Sequence, residues 1–159
     1  MIRVTEVLKH HHGPSDDVVT LDYEDRHRRR MALTGAGGAE FLLDLAEVPD
    51  LRDGDALRLE NGQIIAVKAA PEPLMELHAH DALQLTRIAW HIGNRHLAAE
   101  ITNGSLIVRA DHVIAQMVEG LGGHVHYIAA PFNPERGAYA GAAATHGHHH
   151  HGHGHDHHG

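Results

Sequence analysis

Apolar and polar positions alternate through the first seventy residues of the chain. In MIRVTEV, Ile2 and Val4 alternate with polar neighbours, and VVTLDY, RMAL and EFLLDL follow as further short runs, the pattern of half-buried strands. The clearest local signal is ALRLENGQIIAVKA, where two alternating runs flank Asn61-Gly62. That pair suits the two positive-φ positions of a type I′ hairpin turn. Gly35 to Gly38 and Asp53-Gly54 supply turn residues between the other runs. No stretch has a helical period, so residues 1–70 are expected to form a small all-β domain. The segment AAPEP, Ala69 to Pro73, then places two prolines within three residues. A central strand does not accommodate them, and a domain boundary is expected there.

The second half has another rhythm. LMELHA reads as a strand, and Asp81 is placed to cap the helix that follows. In that helix Leu85, Ile88, Ala89 and Ile92 form one apolar stripe, and Gly93 stands where a left-handed C-terminal cap is expected. HLAAEI and SLIVRA flank Asn103-Gly104, a second hairpin signal. Asp111 suits the N-cap of HVIAQMVEGL, with Val113, Met117 and Leu121 at helical spacing and Ile114 and Val118 beside them. Gly122-Gly123 ends this helix, and HVHYIAA is a last strand. The order βαββαβ over residues 71–141 predicts a ferredoxin-like domain, so the whole chain reads as α+β. Residues 142–159 are Ala, Gly and His without apolar periodicity, and disorder is expected there.

Composition narrows the chemistry. The 159 residues include no cysteine, so disulfides and thiolate metal ligands are excluded. Formal charge is −8 with histidine neutral, which argues against binding a phosphate backbone; no nucleic-acid partner is expected. Neither a signal peptide nor a run long enough to span a membrane is found, and a cytoplasmic protein without membrane contact is expected. The 20 histidines change the picture most, because protonating all of them would carry the charge from −8 to +12. Protons and metal ions would compete for the same nitrogens.

Histidine is concentrated in THGHHHHGHGHDHHG, Thr145 to Gly159. His146, His148, His149, His150, His151, His153, His155, His157 and His158 are candidate ligands, with Asp156 the one carboxylate among them. In an extended chain His146, His148 and His150 point one way, while His151, His153, His155 and His157 point the other. Imidazole suits Ni(II), Cu(II), Zn(II) and Co(II). Ordering a loose tail around an ion costs entropy, so adaptable, exchangeable binding is expected. An affinity tag is the plain alternative, but glycine and aspartate interrupt the run repeatedly, whereas a tag is usually unbroken.

Within the folded part the most distinctive stretch is HIGNRHLAAE, His91 to Glu100. GNRH, leaving the first helix of a ferredoxin-like domain, resembles the metal-binding domain of UreE-type urease accessory proteins. EFLLDLAEVPDLRDGDALRLENGQIIAVKAAPE resembles the N-terminal, peptide-binding domain of that family. ADHVIAQMVEGLG resembles its second helix, and PFNPERGAY its exit segment before a His-rich tail. The resemblance covers essentially the whole chain. It implies a non-enzymatic nickel metallochaperone, a homodimer in which His96 from both protomers shares one ion. Its partners would be the urease assembly GTPase and the apo-urease accessory complex. Ni(II) would be cargo, with Zn(II) or Cu(II) able to bind the same sites. His112 matches a peripheral metal-binding position of the family, but a His-x-His pair is broken here by Ala110.

The other histidines carry plainer readings. His10, His11 and His12 form a run in a loop; His78 and His80 flank a strand end; His91 lies on a solvated face. His124 and His126 share one face of a strand, where structural roles are expected. RHRRR, Arg26 to Arg30, reads first as a solvated face and second as a patch for an acidic partner. Three rivals to the nickel carrier remain. One is a histidine-rich Ni/Zn buffer or store without a dedicated client. Another is a hydrolase using a His96-bound water and Glu100 as base. The third is a nickel donor for hydrogenase.

Overall fold

The computed structural model describes residues 1–136. The tail histidines His146 to His158, and the disorder expected there, lie outside the described residues. The N-terminal part holds six strands: β1 (Val4–Leu8), β2 (Asp17–Leu21), β3 (Arg30–Thr34), β4 (Glu40–Asp44), β5 (Ala56–Leu59) and β6 (Ile64–Ala69). Four form a sheet ordered β1-β5-β6-β2, and β3 and β4 pair as a separate hairpin. Of these strand pairs β2 and β6 run parallel, and an isolated parallel bridge joins Arg3 to Leu42 of the hairpin. The inward positions of both sheets meet in one core that includes Val19, Phe41, Leu43, Leu51, Leu57 and Ile65.

The β5–β6 hairpin differs from expectation in its turn. Leu59 N–H donates to Gln63 O, and Gly62 N–H donates to Leu59 O, each at 2.9 Å. The loop is therefore the three residues Glu60-Asn61-Gly62, a type I turn closed by a left-handed glycine. Gly62 has φ +86°, while Asn61 has no positive φ. Asn61 instead uses its Oδ1 to accept from Gln63 N–H at 3.0 Å, which supports the three-residue turn without placing an L-residue at positive φ.

After a break at Ala70, β7 runs from Pro71 to His78. The prolines thus begin a strand rather than interrupt one. Over Pro71–Pro73 the strand pairs with β10 alone, because pairing with β9 starts only at Leu74. Missing N–H groups are tolerated at such an edge-like start. The rest is α1 (Ala82–Asn94), β8 (Glu100–Ile101), β9 (Ser105–Arg109), α2 (His112–Gly120) and β10 (His124–Pro131). The sheet order is β10-β7-β9-β8, with every pair antiparallel.

Both helices are capped as their sequences require. Asp81 accepts from Gln84 N–H at 2.8 Å, and Asp111 accepts from Val113 N–H at 2.8 Å and Ile114 N–H at 3.1 Å, worth roughly 1 kcal/mol per cap. Ile88 and Ile92 of α1 and Ile114, Ala115 and Val118 of α2 pack on Met75, Leu77, Leu106 and Val108. Both helices therefore cover one face of the sheet. Two details depart from the periodicity reading. Ala89 is exposed, and α2 buries Ile114–Ala115–Val118 while Val113 stands out in solvent. Several spacings satisfy a helical period, and the one nearest the sheet wins.

The RHRRR segment is not wholly a solvated face. Asp25–His27 forms a single 3-10 turn, and Arg26 is fully buried. Its guanidinium donates to Leu51 O and to Phe132 O, tying the N-terminal core to the segment after β10. Burial lowers its pKa, and the neighbouring Arg52 acts in the same direction, against Glu72, Asp50 and Asp22. Beside it Tyr23 N–H donates to Glu72 at 3.0 Å, and the Arg109 guanidinium lies over the Tyr23 ring at 5.1 Å. Arg28, Arg29 and Arg30 remain exposed. No helix among the described residues is long and apolar enough to cross a membrane.

Candidate metal centre

The GNRH turn has a defined hydrogen-bonded geometry. Helix α1 continues through Gly93 to Asn94, with Arg95 as its C-cap. The left-handed position that closes the helix falls not on Gly93, as expected from composition, but on His96, with φ +58°. His96 N–H donates to Gly93 O at 3.0 Å, and Leu97 N–H donates to Ile92 O at 3.3 Å. These are the two bonds of a Schellman motif, whose left-handed residue is usually glycine. A side chain there costs roughly 1 kcal/mol against glycine, although histidine tolerates the conformation better than most residues. The turn leaves His96 exposed just beyond the end of the helix.

His96 is exposed, between the charged Arg95 and the apolar Leu97. Leu97 and Ile101 line a shallow hollow with Ala89, Ile92 and Gly93. Trp90 is 63% and Ile101 60% exposed. Arg95 reaches across to α2, where its Nε donates to Met117 Sδ at 3.2 Å. This contact links the turn to the second helix.

The other candidates separate cleanly. His112 is the first residue of α2 and points from an exposed position behind its Asp111 cap. Glu100, the base required by a hydrolase, accepts from Asn133 N–H at 3.0 Å and so anchors the segment leaving β10. His91 stands edge-on to Trp90 with ring centres 5.0 Å apart. His10 also has a positive φ, +50°, its N–H donating to Asp55 at 3.1 Å. Among the described residues no three His, Asp or Glu side chains already converge as they would around a metal.

Sequence reasoning passed over one grouping. His78-x-His80 and His124-x-His126 were each visible as alternating pairs, but only strand register sets them against each other. His124 is the Cα partner of His78, and His126 that of Glu76.

A strand-rich N-terminal domain, a helix-covered C-terminal sheet and histidines presented at turns and strand ends define a two-domain, histidine-presenting protein. Residues 3–70 match the family model for the UreE urease accessory protein N-terminal domain, and residues 72–159 that for its C-terminal domain. The chain belongs to the UreE urease accessory protein family. Relatives named urease accessory protein UreE include one from Rhodopseudomonas palustris (strain HaA2), 55% identical over 89% of this chain and 67% of its own length. One from Bradyrhizobium sp. (strain ORS 278) is 56% identical over 92% of this chain and 70% of its own length. Another, from Chelativorans sp. (strain BNC1), is 51% identical over 87% of each chain.

Proposed function

We propose that this protein is a nickel metallochaperone that binds Ni(II) as a homodimer and delivers it to apo-urease during assembly of the urease metallocentre. The observation that carries this reading is His96, an exposed imidazole held at a strained position where the fold itself favours glycine. Strain retained at an exposed residue points to a role beyond folding. One imidazole binds Ni(II) weakly, and a two-fold interface supplies a second copy of the same residue. The exposed Trp90, Leu97 and Ile101 around the turn support an interface there.

Two imidazoles leave the nickel shell incomplete, so water, tail histidines or a recipient protein can fill it. Such an ion can be passed on, whereas a closed cage would retain it. His112 and His146 to His158 collect or lend metal in this reading, and Zn(II) or Cu(II) compete for the same nitrogens. The chain acts in the cytoplasm without catalysing a reaction itself. Its partners are the urease assembly GTPase and the apo-urease accessory complex. Residues 1–70 form the N-terminal, peptide-binding-like domain, residues 71–141 a ferredoxin-like metal-binding domain, and residues 142–159 a His-rich metal-binding tail. The sheet order β10-β7-β9-β8 with both helices on one face supports the ferredoxin-like reading.

The test is activation of apo-urease in the presence of its assembly GTPase, with nickel supplied only on this protein. Wild type should activate urease, and His96→Gly carrying the same total nickel on its tail should activate it severalfold less. Equal activation by both would favour a histidine-rich Ni/Zn buffer.

A further inference from the structure

The sheet face away from the helices carries a row of histidines. Antiparallel partners point to the same face, and the pairs His78↔His124 and Glu76↔His126 are in direct register. His80, two residues beyond His78, continues the row. The ring centres of His78 and His126 are 5.1 Å apart, and those of His80 and His124 are likewise 5.1 Å apart. Glu76 Oε1 lies 2.6 Å from His78 Nε2. His80, His124 and His126 are exposed, and His78 and Glu76 are half-buried.

We propose that Glu76, His78 and His126 form a second binding site for a divalent transition-metal ion, with His124 and His80 extending it along the sheet. Two imidazoles bound to one tetrahedral ion, with nitrogens about 2.1 Å from the metal, have ring centres about 5 Å apart. The observed ring spacing meets that requirement. The two contacts share His78, which already touches the carboxylate on one side and the second imidazole on the other. Cross-strand and diagonal neighbours have Cβ atoms about 5–8 Å apart, so rotation of the exposed His126 ring against His78 and Glu76 can bring three donors to one point. Two imidazoles and a carboxylate suit Zn(II), Ni(II), Co(II) or Cu(II) rather than Mg(II) or Ca(II). An ion bound between His78 and Glu76 would take the place of their direct contact, and its binding would compete with protons. Because its donors stand on paired strands, the site is largely ordered before an ion binds. It lies apart from the His96 turn and does not depend on that turn binding nickel.

The full chain provides the test. Histidines are carbethoxylated with diethyl pyrocarbonate across a Zn(II) titration, and each peptide is quantified by mass spectrometry. His78 and His126 should become protected together with one midpoint, while His10 and His12 stay reactive. Glu76→Ala should move that midpoint about tenfold to higher Zn(II), and His126→Gln should abolish protection of His78. His126 is exposed and Glu76 half-buried, outside the packed core, and the wild-type circular dichroism spectrum should persist. If His78 and His126 stay reactive while Zn(II) protects the tail, the site does not exist. If His78 remains protected in His126→Gln, the protection comes from elsewhere and the proposal is overturned. The same spectra report His96 separately, so failure of the carrier reading and failure of this one are distinguished.

Discussion

His96 and Gly122 occupy the same position in two copies of one turn. At the end of α2, Gly122 N–H donates to Glu119 O and Gly123 N–H donates to Val118 O, both at 2.9 Å, and Gly122 has φ +87°. At the end of α1 the corresponding donors are His96 and Leu97. One helix closes with the residue that backbone sterics favour, and the other closes with an imidazole.

This pair gives a prediction about stability. His96→Gly should raise the unfolding free energy by about 1 kcal/mol, because glycine enters the left-handed region without the side-chain penalty. Gly122→Ala should lower it by about 1–2 kcal/mol, since its Cβ would also meet the Gln84 side chain at 2.5 Å. Urea unfolding of the two variants measures both. A His96→Gly protein less stable than wild type would remove the strain on which the functional reading rests.

Arg26 should be among the least replaceable residues. Its buried guanidinium bridges Leu51 O and Phe132 O, and truncation leaves both carbonyls without this donor. Arg26→Ala should cost about 3 kcal/mol or more. Arg26→Lys should recover little, because one ammonium cannot reproduce the planar fork. Chemical denaturation checks this.

Asp17 should govern part of the acid limb of stability. It accepts from Gly37, Ala39 and Val18 N–H groups, and these bonds, Gly37 first, hold its pKa below the ordinary value. A depressed folded-state pKa contributes stability above the unfolded value of about 3.9, lost as pH falls through the lower folded value. Asp17→Asn should therefore destabilise the protein at neutral pH and flatten the decline below about pH 4. Thermal melts between pH 2 and 7 would show it.

Metal binding should fall steeply with acidification. Imidazole must be deprotonated to ligate, so total Ni(II) bound at a fixed free concentration should drop through about pH 6.5. Equilibrium dialysis across that range measures the fall. A flat profile would mean that carboxylates carry the binding.

Much of the fold was legible because local chemistry and global pattern agree. Asp81 and Asp111 cap the helices, Gly122 ends the second one, and the strand–helix order of the C-terminal half follows the hydrophobic periods. The exceptions have physical causes. Asn61 could adopt either hairpin turn, and the choice depends on strand register. Gly93 is the obvious cap by composition, but α1 runs on to Asn94, and the closing bonds from His96 and Leu97 to the Gly93 and Ile92 carbonyls put the left-handed residue at His96. Arg26 looked solvated because its acceptors, Leu51 and Phe132, are distant in sequence. The row His78, His80, His124 and His126 needed the β7–β10 pairing, which alternation within each strand cannot supply.

The central claim is that His96 supplies a metal site built by two protomers. Calorimetric titration of Ni(II) into the full-length wild type and the His96→Gly variant at neutral pH tests it most directly. The account predicts that wild type shows one tight event per dimer ahead of weaker tail binding. In His96→Gly the tight event should vanish and the weaker binding remain. An unchanged tight event in that variant would contradict the account and move the nickel site away from the turn.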